Sequence, residues 1–345
     1  MKPNRTFSIL TSLFAAFFLN ACQPQKGEMA TPQAGCEMAT PQSSCKIKTF
    51  ASSYTTSPAT TGVTGQSETI YEYDARGNLT RSAASNKAKN NNDDYQFNES
   101  IATTFSYDAD GYLTTKTEQH DRQDAGRNTK TTTTTRYVYD NDRKLTTATE
   151  TNSGSYNQTT LYSYEYDKAG KLIKFVTKTN SQKTTHIYSD CELTAVTQLN
   201  ANGIATQIYT VINGVVTKQA TSTDTYSTYA YNNQKQLTKS EQFVDGKINY
   251  YYEMSPIEAK PATEALPSFK GHPALLPLTG KTGLFDSFKF YSVIKNTMTQ
   301  MNESTYKYSV NAKGFAINAV WANKILDGVP YTINVSETYN YTDCQ

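Results

Sequence analysis

The chain has 345 residues, 33 basic against 31 acidic side chains, and 26 tyrosines. So even a balance excludes a nucleic-acid or anionic-membrane partner held by net charge. Tyr and Thr favour strands, but most strand positions are polar, without the lipid-facing alternation that a membrane-spanning barrel needs.

The first predicted element is a signal segment. Lys2 and Arg5 precede an apolar run, Phe7 to Leu19, that is too short to cross a bilayer and suits a signal peptide. The run ends in "LNAC", Leu19 to Cys22. That ending resembles the lipobox of bacterial lipoproteins. The resemblance implies cleavage after residue 21, acylation (palmitate) of Cys22, and a membrane partner through that anchor. Gln23, where an inner-membrane retention signal has Asp, implies the outer membrane or cell surface. Loss of Lys2 and Arg5 brings the formal charge from +2 to about 0.

Residues 22–44 read as a disordered tether. "EMATPQ" is written twice, from Glu28 and from Glu37, among Pro, Gln, Ser and Gly. Such a segment buries too little to order itself, and as a coil it spans on the order of 25 Å.

Residues 45–345 read as one all-β domain, a large antiparallel meander of hairpins in a curved or rolled sheet. Its signature is "YEYDARGNLT" from Tyr71, "FSYDADGYLT" from Phe105, "YVYDNDRKLT" from Tyr137 and "YEYDKAGKLI" from Tyr164. The two aromatic positions share one strand face. The Asp ends the strand and accepts bonds from turn amides. Two residues take a type I turn, and Gly supplies a left-handed bulge. The spacing makes Asp74 and Asn78 the closing pair and sets Tyr73 opposite Leu79. Likewise Tyr107 faces Leu113, Tyr139 faces Leu145 and Tyr166 faces Leu172, each an aromatic–aliphatic cross-strand pair. Weaker copies follow at "YAYNNQKQL" and "IYSDCEL", and Arg143 and Lys235 stand where Gly is expected, at about 1 kcal/mol each. Asn213-Gly214 and Asp245-Gly246 suit two-residue turns. The stretches "NKAKNNNDDYQFNE" and "HDRQDAGRN" read as long solvated loops without calcium-ligand spacing.

Residues 255–285 hold Pro256, Pro261, Pro267, Pro273 and Pro277, which argue against central strands, together with apolar "HPALLPLTGKTGLF". This is a Pro-rich insertion packed on the sheet. Three or four strands then complete about sixteen to eighteen in all.

The motif series resembles the YD repeats of RHS-type proteins, whose hairpins coil into a closed shell around a toxin. About six copies cover roughly half of this chain, too few for a large shell. The lipobox, the YD-like meander, the insertion with "GKTG" and the terminal Cys344 together resemble a family of uncharacterised bacterial surface lipoproteins with an RHS-like sheet. That family has no activity or site residues to carry over.

Besides Cys22 the cysteines are Cys36, Cys45, Cys191 and Cys344. Export permits disulfides, and four cysteines leave three full pairings open. A Cys191–Cys344 bridge is the hypothesis, since both follow Tyr and Asp at similar offsets; Cys45 competes for either. With no C-x-x-C and three scattered histidines, neither a redox motif, a metal site nor a cofactor is indicated. No nucleophile elbow, P-loop, zinc-protease or dinucleotide motif is present. Two classes of function remain. The first is a non-enzymatic binding or scaffold protein at the cell envelope, toward glycan or protein. The alternative is an enzyme of unrecognised type acting on polysaccharide. The ligand candidates are the aromatic residues Tyr250, Tyr251, Tyr252 and Trp321. Tyr73, Tyr107, Tyr139 and Tyr166 read as the core face of the sheet.

Overall fold

The computed structural model describes residues 45–342, apart from 58–62, 90–95, 125–126, 155–156, 295–296, 327–329 and most of 262–283. Twenty strands follow in chain order. They are β1 (Lys46–Ser57), β2 (Thr64–Tyr73), β3 (Leu79–Lys89), β4 (Gln96–Tyr107), β5 (Leu113–Asp124), β6 (Arg127–Tyr139), β7 (Leu145–Ser153), β8 (Gln158–Tyr166), β9 (Leu172–Lys178) and β10 (Gln182–Ser189). The second half comprises β11 (Glu192–Asn200), β12 (Ala205–Ile212), β13 (Val215–Ala220), β14 (Tyr226–Tyr231), β15 (Leu237–Val244), β16 (Lys247–Ile257), β17 (Leu284–Ile294), β18 (Thr297–Val310), β19 (Ala316–Ile325) and β20 (Tyr331–Thr342).

Each strand pairs antiparallel with the next, and β1 pairs with β20 from Lys46↔Thr342 to Ser57↔Thr332. The meander is therefore a closed barrel. The expected rolled sheet is corrected on this point, and the strand count exceeds the sixteen to eighteen expected. Closure removes both edges. Twenty strands at about 4.8 Å apart give a girth of about 95 Å. An eight-stranded barrel is filled by its own side chains, so a ring this wide encloses a lumen.

The Tyr–Asp motif forms the hairpins as its spacing dictates. Asp74 and Asn78 close the first turn, and the Asp74 carboxylate accepts the amides of Arg76 (2.9 Å) and Asn78 (2.8 Å). Gly77, Gly111 and Gly170 have φ of 86°, 85° and 83°, and Arg143 and Lys235 occupy the same region at 63° and 62°. Tyr73 faces Leu79, Tyr107 Leu113, Tyr139 Leu145 and Tyr166 Leu172, each directly after a bulge. The second tyrosine of each copy then reaches one hairpin back. Tyr73 donates its hydroxyl proton to the Ile47 carbonyl, Tyr107 to Leu79, Tyr139 to Leu113 and Tyr166 to Leu145, at 2.7–2.9 Å. Tyr231 and Tyr341 do the same to Val216 and Ala316. Each bond contributes about 1 kcal/mol net, and together they lace one rim of the barrel.

Three local expectations differ from what is found. "HDRQDAGRN" is not a loop: His120 to Asp124 lie in β5 and Arg127 opens β6. Most of "NKAKNNNDDYQFNE" likewise extends β3 and β4. Pro256 sits inside β16, at a register shift between Ser255 and Pro256 where its missing N–H does no harm.

Candidate functional site

Alternate residues of each strand point into the barrel. On β2 the inward set is Ser67, Thr69, Tyr71 and Tyr73, buried or half-buried, while Gln66, Glu68, Ile70 and Glu72 are exposed. On β5 Lys116, Glu118, His120 and Arg122 face inward while Gln119 and Asp121 are exposed. On these two strands the outer face is polar apart from Ile70, and elsewhere apolar residues such as Val138, Leu161, Ile208, Ile212 and Val320 stand exposed.

One end of the lumen is crossed by the insertion. All Tyr–Asp turns lie at the same rim, and the insertion leaves it between β16 and β17. Lys260 bridges to Phe315 and exchanges backbone bonds with Gly314 and Ala316. Farther on, Phe269 packs on Phe105 with ring centroids 5.7 Å apart, and Lys270 donates to the Asp110 carbonyl (3.2 Å). His272 Nε2 lies 2.9 Å from the Tyr139 hydroxyl. Because that hydroxyl gives its proton to Leu113, His272 is the donor and its Nε2 carries hydrogen. Burial depresses the imidazole to about 3, which keeps it neutral. The described parts of the insertion therefore dock on the laced rim at β18–β19 and at β4–β6. At the opposite rim the described turns, such as Asn200–Ile204 and Asp245-Gly246, are short hairpin tips.

Two walls face each other near the rim opposite the insertion. The first, on β3–β5, holds the ionisable groups. Glu99 is 7% exposed and accepts from Asn86 Nδ2 (2.7 Å) and His120 Nε2 (2.8 Å). Burial alone would raise its carboxyl, but those two bonds hold it below the usual range. The hydrogen bond to Glu99 in turn raises His120, against the opposing effect of burial. Arg122 is held by Asp124 (3.0 Å) and lies over the Phe97 ring. Asn86 Oδ1 and Thr103 Oγ1 are buried without a partner. Apart from Thr103, this cluster falls within the two stretches whose polarity reads as solvated loop. Alternation Lys116-x-Glu118-x-His120-x-Arg122 was the available signal.

The second wall, on β11–β17, carries aromatic and amide groups. In a ring of twenty, β15 lies opposite β5. Tyr250 and Tyr252 point inward beside Phe290, at 5.9 Å and 4.8 Å between centroids. Tyr251 points outward and stacks on Tyr291 at 4.4 Å, under Lys239. The sequence "NYYYEM" is therefore split between two faces. Trp321 is buried on β19, 9% exposed, and donates Nε1–H to Glu337 Oε1 (3.1 Å). Beside the aromatic pair runs a belt of amides. Tyr209 lies 2.8 Å from Gln198 Oε1 and 2.5 Å from Gln207 Oε1, Gln219 Nε2 donates to Gln207 (2.6 Å), and Tyr229 donates to Gln219 (3.1 Å). Burial raises the Tyr209, Tyr229 and Tyr252 hydroxyls. Among the described residues every ring contact joins strands that are neighbours in the barrel, or the insertion; none spans the lumen.

Cys22 and Cys344 lie outside the described residues. Cys45 and Cys191 are both disulfide-bonded. Among the described residues no cluster of His, Cys, Asp and Glu is set to hold a metal ion.

No family model and no curated protein matches the sequence. Among solved structures the chain is similar to a porin-like protein from Bacteroides uniformis ATCC 8492. The identity is 14%, over 86% of this chain and 96% of that one, with a TM-score of 0.36. It is also similar to TcdB2-TccC3, at 13% identity over 77% of this chain and 20% of that one, with a TM-score of 0.21. This chain thus spans about a fifth of the latter. Superpositions this loose carry no functional weight, and the barrel is established from its own strand pairing.

Proposed function

We propose that the protein is a non-enzymatic binding barrel of the cell envelope, anchored by lipid at Cys22 and tethered by residues 22–44, with the lumen as its binding site for a glycan. A single observation carries this reading. The inner face carries the sugar-facing chemistry, with Tyr250 and Tyr252 beside the amides of Gln198, Gln207 and Gln219, whereas a barrel that spans a bilayer turns a continuous apolar band outward. Flat amphipathic rings beside amides are a surface suited to sugars.

Hydrolysis of a glycoside is the less favoured reading. It needs two carboxyl groups flanking the scissile bond, roughly 5–9.5 Å apart. Of the inward carboxylates, Glu99 is occupied by His120 and Asn86, Glu118 pairs with Lys116 (3.4 Å) and Glu337 accepts from Trp321 and Tyr339, while Glu150 faces inward on β7 opposite Thr135. On the facing wall Glu241 and Glu253 belong to the outward set, and Glu241 pairs with Lys239 (2.9 Å).

A glycan array probed with the chain carrying Cys22→Ala tests the binding role. Retention of selected glycans supports it, and silence across neutral and anionic glycans refutes it. The same substitution should abolish acyl labelling and release the protein from membranes; unchanged retention refutes the anchor.

A further inference from the structure

We infer that the inner wall formed by β11–β17 is a subsite for a neutral oligosaccharide, stacked on Tyr250 and Tyr252 and hydrogen-bonded by Gln198 and Gln207. This rests on the lumen-binding reading above and specifies its ligand and its residues.

The chemistry of the wall is selective. From β11 to β16 its inward positions include Gln198, Gln207, Tyr209, Gln219, Tyr229 and Tyr250, amides and phenols with no acidic or basic side chain among them. An anionic sugar would find no cation there to replace its water, and burying an unpaired charge is costly. A neutral sugar presents hydroxyls, which both donate and accept, and an apolar ring face.

The amide belt is matched to such groups because its own bonds are incomplete. Tyr209 has one hydroxyl proton and two neighbouring carbonyl oxygens, on Gln198 and Gln207. One of the two amide oxygens therefore lacks that proton at any moment. The NH2 groups of Gln198 and Gln207 have no protein acceptor among the described residues. Donors and an acceptor are thus presented side by side on paired strands, since Gln198 faces Gln207 and Tyr209 faces Gln219. The rings of Tyr250, Tyr252 and Phe290 are half-buried, so they keep a free face toward the lumen while their neighbours fix them.

Position supports the same assignment. Gln198 lies near the end of β11, Gln207 near the start of β12 and Tyr250 near the start of β16. All three lie within a few rungs of the rim opposite the insertion. A sugar chain entering by that rim meets the amides and the rings before any ionised group on this wall.

The test uses the full chain carrying Cys22→Ala and isothermal titration calorimetry. The probes are neutral hexasaccharides of β-1,4-glucose, β-1,4-xylose, β-1,4-mannose and α-1,4-glucose, with a hexagalacturonate as the anionic comparison. We expect at least one neutral hexasaccharide to bind and hexagalacturonate to bind at least tenfold more weakly. Tyr250→Ala and Gln207→Ala should each weaken binding about tenfold, whereas Tyr251→Ala, on the outer face, should leave it unchanged. Should an alanine variant melt early, Tyr250→Leu and Gln207→Leu keep strand packing and serve instead. Binding that ignores the inner substitutions, depends on Tyr251, or prefers the galacturonate overturns the subsite while leaving a glycan-binding barrel standing. No binding by any probe, with an array equally silent, overturns both.

Discussion

Two buried histidines should make the barrel acid-labile, and one of them can be removed without disturbing its surroundings. His186 is 7% exposed, stacks on Phe175 at 5.2 Å, and has no partner at either ring nitrogen. Burial lowers it from 6.5 to about 4 and lowers His272 to about 3. Both are depressed on folding, so the unfolded chain binds more protons and stability falls as the pH drops below 6.5. At pH 5 nearly every unfolded histidine is charged and few folded ones are, which costs about 2 kcal/mol per residue relative to pH 7.5. His120 has the opposite sign. Its raised value adds stability that is fully present below 6.5 and is lost as the pH rises through its folded value. It therefore offsets part of the loss in both the parent and any His186 variant. His186→Phe preserves the ring stack and removes the proton acceptor. Urea unfolding at pH 7.5 and 5.0 should show the acid loss shrinking by about 2 kcal/mol in this variant. An unchanged pH dependence would falsify the assignment of His186 as a buried neutral imidazole.

Three further outcomes are expected. Gly111→Val should destabilise by about 1 kcal/mol or more, because φ is +85° and a β-branched residue resists that region; nothing lies within 4 Å of the added Cβ, so a clash cannot account for the loss. Tyr107→Phe should cost about 1 kcal/mol by removing the proton given to the Leu79 carbonyl, and a denaturant midpoint equal to the parent's counts against the laced rim. Peptide mapping without reduction should link Cys344 to Cys45 rather than to Cys191, because Lys46 faces Thr342 where β1 and β20 meet; a Cys191–Cys344 peptide restores the pairing expected from the motif offsets.

The hairpins were legible in the sequence because everything that specifies them is local. Asp74, Gly77 and Leu79 lie within six residues, so turn, bulge and cross-strand pair follow from one short string. Closure was not legible. It depends on pairing Phe50 with Tyr339, and neither strand carries a mark of its partner. The polar wall was missed for a related reason. Glu99, His120 and Arg122 look like loop residues when polarity is taken as exposure, yet a wide barrel has an interior that can be wetted and charged. Tyr250, Tyr251 and Tyr252 were legible as candidates, but their division between two faces required the register.

The chain enters the barrel at Cys45 and leaves it after Thr342, both at the laced rim. A leash on the N-terminus therefore pulls on the rim where the insertion docks. If the leash ends in lipid, the cup stands upright on its surface with its mouth turned to the medium. Its contents then come from the side away from the membrane, and whatever it holds is offered to whatever can reach over the brim.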